Sequence, residues 1–223
     1  MSTMAVNIKT VEKVGVLHTI ASKLSELNFN ILYTHLFLKD DHGRIYMEVS
    51  GVDDENYLLE KIREIPDVIS VKLHKTLKST FGKRIIVIGD GIRMAETLQA
   101  AIMEADIHNR SGECISVDGM IINGGLEIQQ AVKSLTKLPR VEAVVLSGSM
   151  MGGLITEEIL KLKDENKDLI IISLDMIGDL ISVVDHVIND TNRAGTMAVK
   201  LVSDKNYYNN EILDNKFLRK ISR

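Results

Sequence analysis

Three nearly uninterrupted apolar runs constrain this chain most. They are Arg84-Ile85-Ile86-Val87-Ile88, Val141 to Leu146 and Leu169 to Leu174. A strand with one wet face alternates apolar and polar residues, whereas a strand covered on both faces does not. These runs therefore predict central strands of a mostly parallel sheet with helices on each side. The segments between them agree. Helical spacing predicts helices over Ile92–Asp106, Leu126–Leu138, Ile155–Asn166 and Ala194–Ser203, with Leu180–Val184 also helical. Cys114–Val117 and His186–Ile188 read as further strands. Asp118-Gly119 reads as a turn that folds Met120–Asn123 back as a hairpin. Alternation of this kind predicts a three-layer, Rossmann-like α/β domain over 84–205.

The residues before it follow other rules. Residues 4–9, Ile31–Lys39, Arg44–Ser50 and Val68–Leu73 read as short strands. Helices are expected from Val16 to Leu27 and after Asp53, which is expected to cap the second one. Asp40-Asp41-His42-Gly43 reads as a hairpin loop in which Gly43 supplies the positive φ. The order β-α-β-β-α-β is the ferredoxin-like arrangement, an antiparallel sheet with both helices on one face. The expected organisation is a first domain over 1–77, a linker over 78–83 that could act as a hinge, the α/β domain over 84–205 and a tail over 206–223 holding a short helix.

Composition separates the two halves as well. None of the nine aromatic residues lies between Gly82 and Asn206, yet that stretch holds 12 of the 15 glycines and seven of the ten methionines. With no rings to stack on bases and a net charge of −4, a nucleic-acid partner is not expected. One cysteine, Cys114, leaves no internal disulfide and suits a reducing cytoplasm. No stretch is long and apolar enough for a membrane span, and the first residues lack the pattern of a secretion signal.

Two constellations offer chemistry. The first is the turn Glu12-Lys13-Val14-Gly15-Val16-Leu17, followed by Asn30-Ile31 at the start of the second strand. A glycine at a helix start leaves amide donors open, and with the helix dipole these suit a carboxylate. Asn30 adds an amide that donates and accepts. The plain alternative is a tight turn at Gly15 and a helix end at Asn30. The turn resembles the signature of ACT domains, an acidic residue, two positions, Gly, one position and Leu. Glu12 stands for the more usual Asp and Val14 for the frequent Pro. The resemblance covers about residues 4–77 and extends to archaeal ACT proteins of unknown function with an appended α/β domain. It implies an amino acid or similar small effector bound by Glu12, Val14, Gly15, Val16, Asn30 and Ile31, and sheets that pair into a homodimer or higher homo-oligomer.

The second constellation is the set of carboxyl strand ends in the α/β domain, where ligands of open parallel sheets bind. It comprises Gly89-Asp90-Gly91, Asn123, Ser147-Gly148-Ser149, Asp175 and Asn189-Asp190. Small, acidic and amide-bearing residues there suit a small polar ligand, but the same residues are favoured in ordinary βα turns. Gly89-Asp90-Gly91 lacks the third glycine of a dinucleotide fingerprint, since Met94 stands there, and no Walker sequence is present. Asp90, Asp175 and Asp190 are oxygen donors of the kind that hold Mg²⁺, or else helix caps. No cofactor and no catalytic residue are expected. The combined expectation is a regulatory protein: the ACT-like domain binds an effector, and the α/β domain binds a second polar ligand or a partner enzyme. The alternative is an allosterically regulated enzyme with its active site at those strand ends.

Overall fold

The computed structural model describes residues 3–148, 152–174, 178–204 and 218–220. The chain divides into two compact units, Met1–Thr80 and Phe81–Arg223.

The first unit runs β1 (Thr3–Val11), α1 (Val16–Glu26), β2 (Asn30–Lys39), β3 (His42–Ser50), α2 (Glu55–Arg63) and β4 (Val68–His74). Its sheet has the order β2-β3-β1-β4, every neighbouring pair antiparallel. Alternation decides its two faces. Val6, Ile8, Ile45, Met47 and Val49 point to one side and form a single core with Ile20 and Leu24 of α1 and Leu58 and Ile62 of α2. Both helices therefore cover that face, as the sequence predicts. Tyr46, between two of those core residues, points to the other side and meets Tyr33 and His74 edge-on. Tyr46 donates to Glu48 (2.6 Å). Burial, then that bond, raises the phenol far above its ordinary range.

Three local details differ from expectation. The β2–β3 loop is the two-residue turn Asp40-Asp41, both at positive φ (51° and 54°), because aspartate tolerates the left-handed region. Gly43 lies instead within β3, where a Cβ would stand 2.3 Å from Thr10 Oγ1. Asp54, not Asp53, caps α2 and accepts from the amides of Asn56 and Tyr57. Residues 78–83 are also not an open linker: most of them fold into a short helix α3 (Leu77–Phe81), and Lys83 already begins the next strand.

The second unit runs β5 (Lys83–Gly89), α4 (Gly91–Arg110), β6 (Ile115–Ile121), α5 (Gly125–Ser134), β7 (Val141–Ser147), α6 (Leu154–Glu165), β8 (Ile170–Leu174), β9 (His186–Ile188), α7 (Thr191–Val202) and β10 (Leu218–Lys220). Strand order is β10-β9-β8-β7-β5-β6, parallel except for β10. The apolar runs are the central strands: Ile85 to Ile88 and Ala143 to Leu146 are fully buried. Helices α4 and α7 pack together in one layer and α5 and α6 in the other. The hairpin expected at Asp118-Gly119 does not form. β6 continues straight through both residues, pairing with β5 from Ile115 to Ile121. Gly119 is there because Leu98 and Met94 of α4 lie against its α-carbon, leaving no room for a side chain. In the tail, Leu218–Lys220 is a strand on β9; the rest of the tail expected to be helical lies outside the described residues.

Candidate functional site

In the first unit the site is built on the β1–α1 turn. β1 ends at Val11, whose amide donates to the Asp67 carbonyl, and Lys13 pairs with the Asp67 carboxylate at 3.1 Å. The turn is thus tied to the loop before β4. Gly15 is the N-cap of α1 with φ 90°, and no side chain caps the helix. A first helical turn has no internal acceptors for its amides, so this end of α1 offers donors in the Leu17–His18 region. Nothing lies within 4 Å of the place a Gly15 Cβ would occupy. Glu12 and Val14 are exposed, and Val16 turns inward to the core. Beside it, His18, Thr19, Ser22, Lys23 and Glu64 line a cleft of about 430 Å³ between α1 and the end of α2.

Asn30 and Ile31 are not part of that turn within one chain. Asn30 pairs with Ser50, which pairs with Thr3 at the start of β1, whereas Gly15 follows Val11 at its other end. Eight register steps at about 3.3 Å each put them roughly 26 Å apart along the sheet. The pocket read from the sequence therefore does not close within a single chain.

In the second unit the order β6-β5-β7-β8-β9 gives the sheet a switch point between β5 and β7, because the chain passes from β5 to β6 on one side and then returns to β7 on the other. Counted within this unit, the order is 2-1-3-4-5, the flavodoxin-like one among doubly wound sheets. Gly89 and Ser147 are register partners at that point. The two strands approach so closely there that a Cβ at Gly89 would stand 2.6 Å from the Ser147 carbonyl group. Asp90 begins α4 without capping it by its side chain, and Gly91 has φ 59° with open space around it. Asn123 and Gly124 precede α5 and are exposed.

Other members of the constellation have structural work. Ser147 is fully buried, its hydroxyl 3.0 Å from that of Thr97, which itself donates to the Arg93 carbonyl. Asp190 caps α7 by accepting from the Arg193 amide (2.7 Å), directly after Asn189. Gly148 is buried. Ser149 and Asp175 lie outside the described residues. Among the described residues no three His, Cys, Asp or Glu side chains converge in a metal-binding group.

Sequence reasoning misses Asp179. Its Oδ1 accepts from the Gly153 amide and the Thr156 hydroxyl, both at 2.9 Å. A carboxylate of the chain itself thus occupies the start of α6. The Gly153 amide, then Thr156, holds this carboxyl below the usual carboxylate range. No local pattern signals it, because Asp179 is 23 residues from Thr156. Two further clefts, of about 390 and 330 Å³, lie at the amino end of the sheet, near Lys83 and Glu142 and near Leu138 and Glu165.

Comparison with known proteins follows the same division. Residues 7–70 match the model of the AHAS small subunit-like ACT domain. An uncharacterized protein of Methanocaldococcus jannaschii is 44% identical over 203 residues, covering 90% of this chain and 93% of its own. An uncharacterized protein of Archaeoglobus fulgidus is 40% identical, covering 86% and 89%. Among solved structures, the ACT domain from GTP pyrophosphokinase of Chlorobium tepidum is 22% identical with a TM-score of 0.31, covering 34% of this chain and 90% of that one. No helix among the described residues is long and apolar enough to cross a membrane. The N-terminal unit is an ACT domain, which suggests a regulatory role with small-ligand binding. Residues 74–217 match the domain of unknown function DUF5612, and the chain belongs to that family.

Proposed function

We propose that this protein is a metabolite-responsive regulator whose ACT domain binds a free amino acid or a close relative through the β1–α1 turn. The observation that carries the reading is the uncapped, open start of α1 at Gly15. Its amides and dipole suit an α-carboxylate. The separation of Gly15 from Asn30 gives the reading its assembly. β2 is an edge strand with exposed apolar residues, among them Leu36, Phe37 and Leu38. Such an edge favours pairing with another strand. Two β2 edges running antiparallel about a two-fold axis carry the start of one beside the end of the other. Asn30 of the partner subunit then approaches the Gly15 end, so the effector pocket is completed by dimerisation. In the α/β unit, the second polar ligand binds over Gly89-Asp90-Gly91 at the switch point, with Asn123 alongside. Effector binding reaches that site, or a partner enzyme, through residues 77–83.

The test is a thermal-shift screen of the full chain with the twenty amino acids, repeated on Gly15→Asp. Aspartate tolerates positive φ and finds open space there, so the variant folds, but its carboxylate competes for the amides. An effector present at about 100 times its Kd adds about 2.7 kcal/mol to the native state, a clear rise in melting temperature. The expected result is a rise with one amino acid in the native chain and a much smaller one in Gly15→Asp. Equal rises in both exclude the Gly15 turn, and no rise in either refutes the sensor reading.

A further inference from the structure

The face of the ACT sheet turned away from both helices gathers rings and positive charge. Lys9, Arg44 and Lys72 each stand next in sequence to a core residue, Ile8, Ile45 and Val71, so alternation sends all three to the other side. Lys9 is the register partner of Arg44, and Lys72 pairs with Asn7, two residues along from Lys9. Like charges set directly opposite destabilise a sheet, yet none of these three cations has an ion-pair partner among the described residues. The strands carry one acid on this side, Glu48, and its Oε1 is taken by the Tyr46 hydroxyl and the Leu77 amide, each at 2.6 Å. Asp40 and Asp41 lie past Lys39, in the turn at the sheet's end. Rings stand beside the cations. Tyr46 meets Tyr33 (centroids 6.1 Å) and His74 (5.8 Å), and His35 tilts against Phe37 (5.4 Å). His35 is the register partner of Tyr46, and Phe37 that of Arg44. His35, Phe37 and His74 are exposed, and Tyr33 and Tyr46 are half-buried.

We infer that this face binds single-stranded nucleic acid, with Lys9, Arg44 and Lys72 on phosphates and the rings of β2 and β3 stacked on bases. The chemistry selects the occupant. Cations without partners call for an anion, and rings standing at the surface call for a flat guest. A carboxylate metabolite meets only the first demand. Four strands about 4.8 Å apart cover roughly 14 Å, and Arg44 to Glu48 spans about as much along β3, room for two or three bases. An open sheet face encloses nothing, so a strand held at several points fits it better than a free nucleotide, which needs a pocket. The expectation of no nucleic-acid partner rests on the ring-free α/β stretch and on the total charge of −4, neither of which describes this face. The site does not depend on an effector at the Gly15 turn.

Fluorescence anisotropy of the full chain with a labelled single-stranded RNA of about eight nucleotides tests this, beside the same RNA annealed to its complement. The native chain should bind the single strand more tightly than the duplex, whose bases are already stacked. Lys9→Gln should make the fall of log affinity with log salt shallower by about 0.7, one phosphate contact fewer. Tyr33→Ala should weaken binding roughly five-fold or more at every salt concentration and leave that slope unchanged. Should Tyr33→Ala fold poorly, the exposed His35→Ala takes its place. Arg63→Gln removes a charge from α2, on the covered side of the sheet, and should leave the affinity unchanged. No binding by the native chain at about 50 mM salt overturns the inference, as does a duplex bound as tightly as the single strand. Equal losses in Lys9→Gln and Arg63→Gln also overturn it, because they show attraction to charge in general. So do ring variants of native affinity. A native chain that ignores RNA but changes its sedimenting mass on Tyr33→Ala assigns the face to a second copy instead, and overturns it as well.

Discussion

Gly195→Ala measures how closely α4 and α7 approach. In an unobstructed helix interior this change favours the helix by about 1 kcal/mol. At Gly195 the new methyl would stand 2.2 Å from the Thr97 carbonyl oxygen and 2.7 Å from the Ala101 nitrogen. Both are backbone atoms of α4 and cannot rotate aside. Reaching even 3.0 Å from the oxygen needs a retreat of 0.8 Å, the difference 3.0 − 2.2. A gap of about 0.5–1 Å forfeits roughly a quarter to a half of each van der Waals well it opens. The contacts opened are those between α7 and α4, in a part of α7 where Ala194, Ala198 and Val199 are all fully buried. Overpacking costs about 1–3 kcal/mol, and with backbone as the obstacle the upper figure applies. Less the propensity gain, the net loss is about 2 kcal/mol, roughly thirty-fold in the folding equilibrium. Urea unfolding followed by circular dichroism reads it directly. Gly125→Ala is the matched control: Gly125 opens α5, has no neighbour within 4 Å of its Cβ position, and should gain about 0.5–1 kcal/mol. A Gly195→Ala variant as stable as the native chain would refute the close-approach argument.

Other outcomes follow from the site. Asp179→Ala should destabilise the α/β unit at neutral pH and have little effect in strong acid. The folded carboxyl has a depressed pKa, so its contribution is fully present above the unfolded value near about 3.9 and disappears as pH falls through the folded one; urea midpoints across a pH series show this. Thr97→Val should cost about 1–3 kcal/mol, because it strands the buried Ser147 hydroxyl. Ser147→Ala should cost less, about 1 kcal/mol, because Thr97 keeps the Arg93 carbonyl; equal losses in chemical denaturation would contradict that ordering.

Much of the architecture is legible in the sequence because periodicity reports burial directly. Ile85–Ile88 can only be central, and Ile45, Met47 and Val49 can only face a core on one side. Direction of pairing is less legible where a local signal competes with a tertiary one. Asp118-Gly119 is a good turn sequence, but the glycine is required by the approach of Leu98, and β6 runs through it. Asp40-Asp41 shows the reverse, a turn made without the glycine beside it. The candidate site is legible as far as chain neighbours make it. Gly15 and Asp190 act within their own turns, and both are readable. Asp179 on Gly153, Thr97 on Ser147 and the separation of Asn30 from Gly15 depend on strand order and register, which no short pattern encodes.

The pairing of β10 with β9 also bears on how the chain is made. The ACT sheet needs only the first 74 residues, since β4 ends at His74, and it is complete before β5 leaves the ribosome. The edge of β9 waits longer, because Leu218, which pairs with Ile188, comes thirty residues (218 − 188) later. At about 5–20 residues per second that interval is roughly 2–6 s. During it the nascent α/β unit presents an uncovered parallel edge, the feature from which strand-to-strand aggregation starts. A chain cut before Leu218 would carry that edge permanently, so β10 protects β9 as well as extending the sheet.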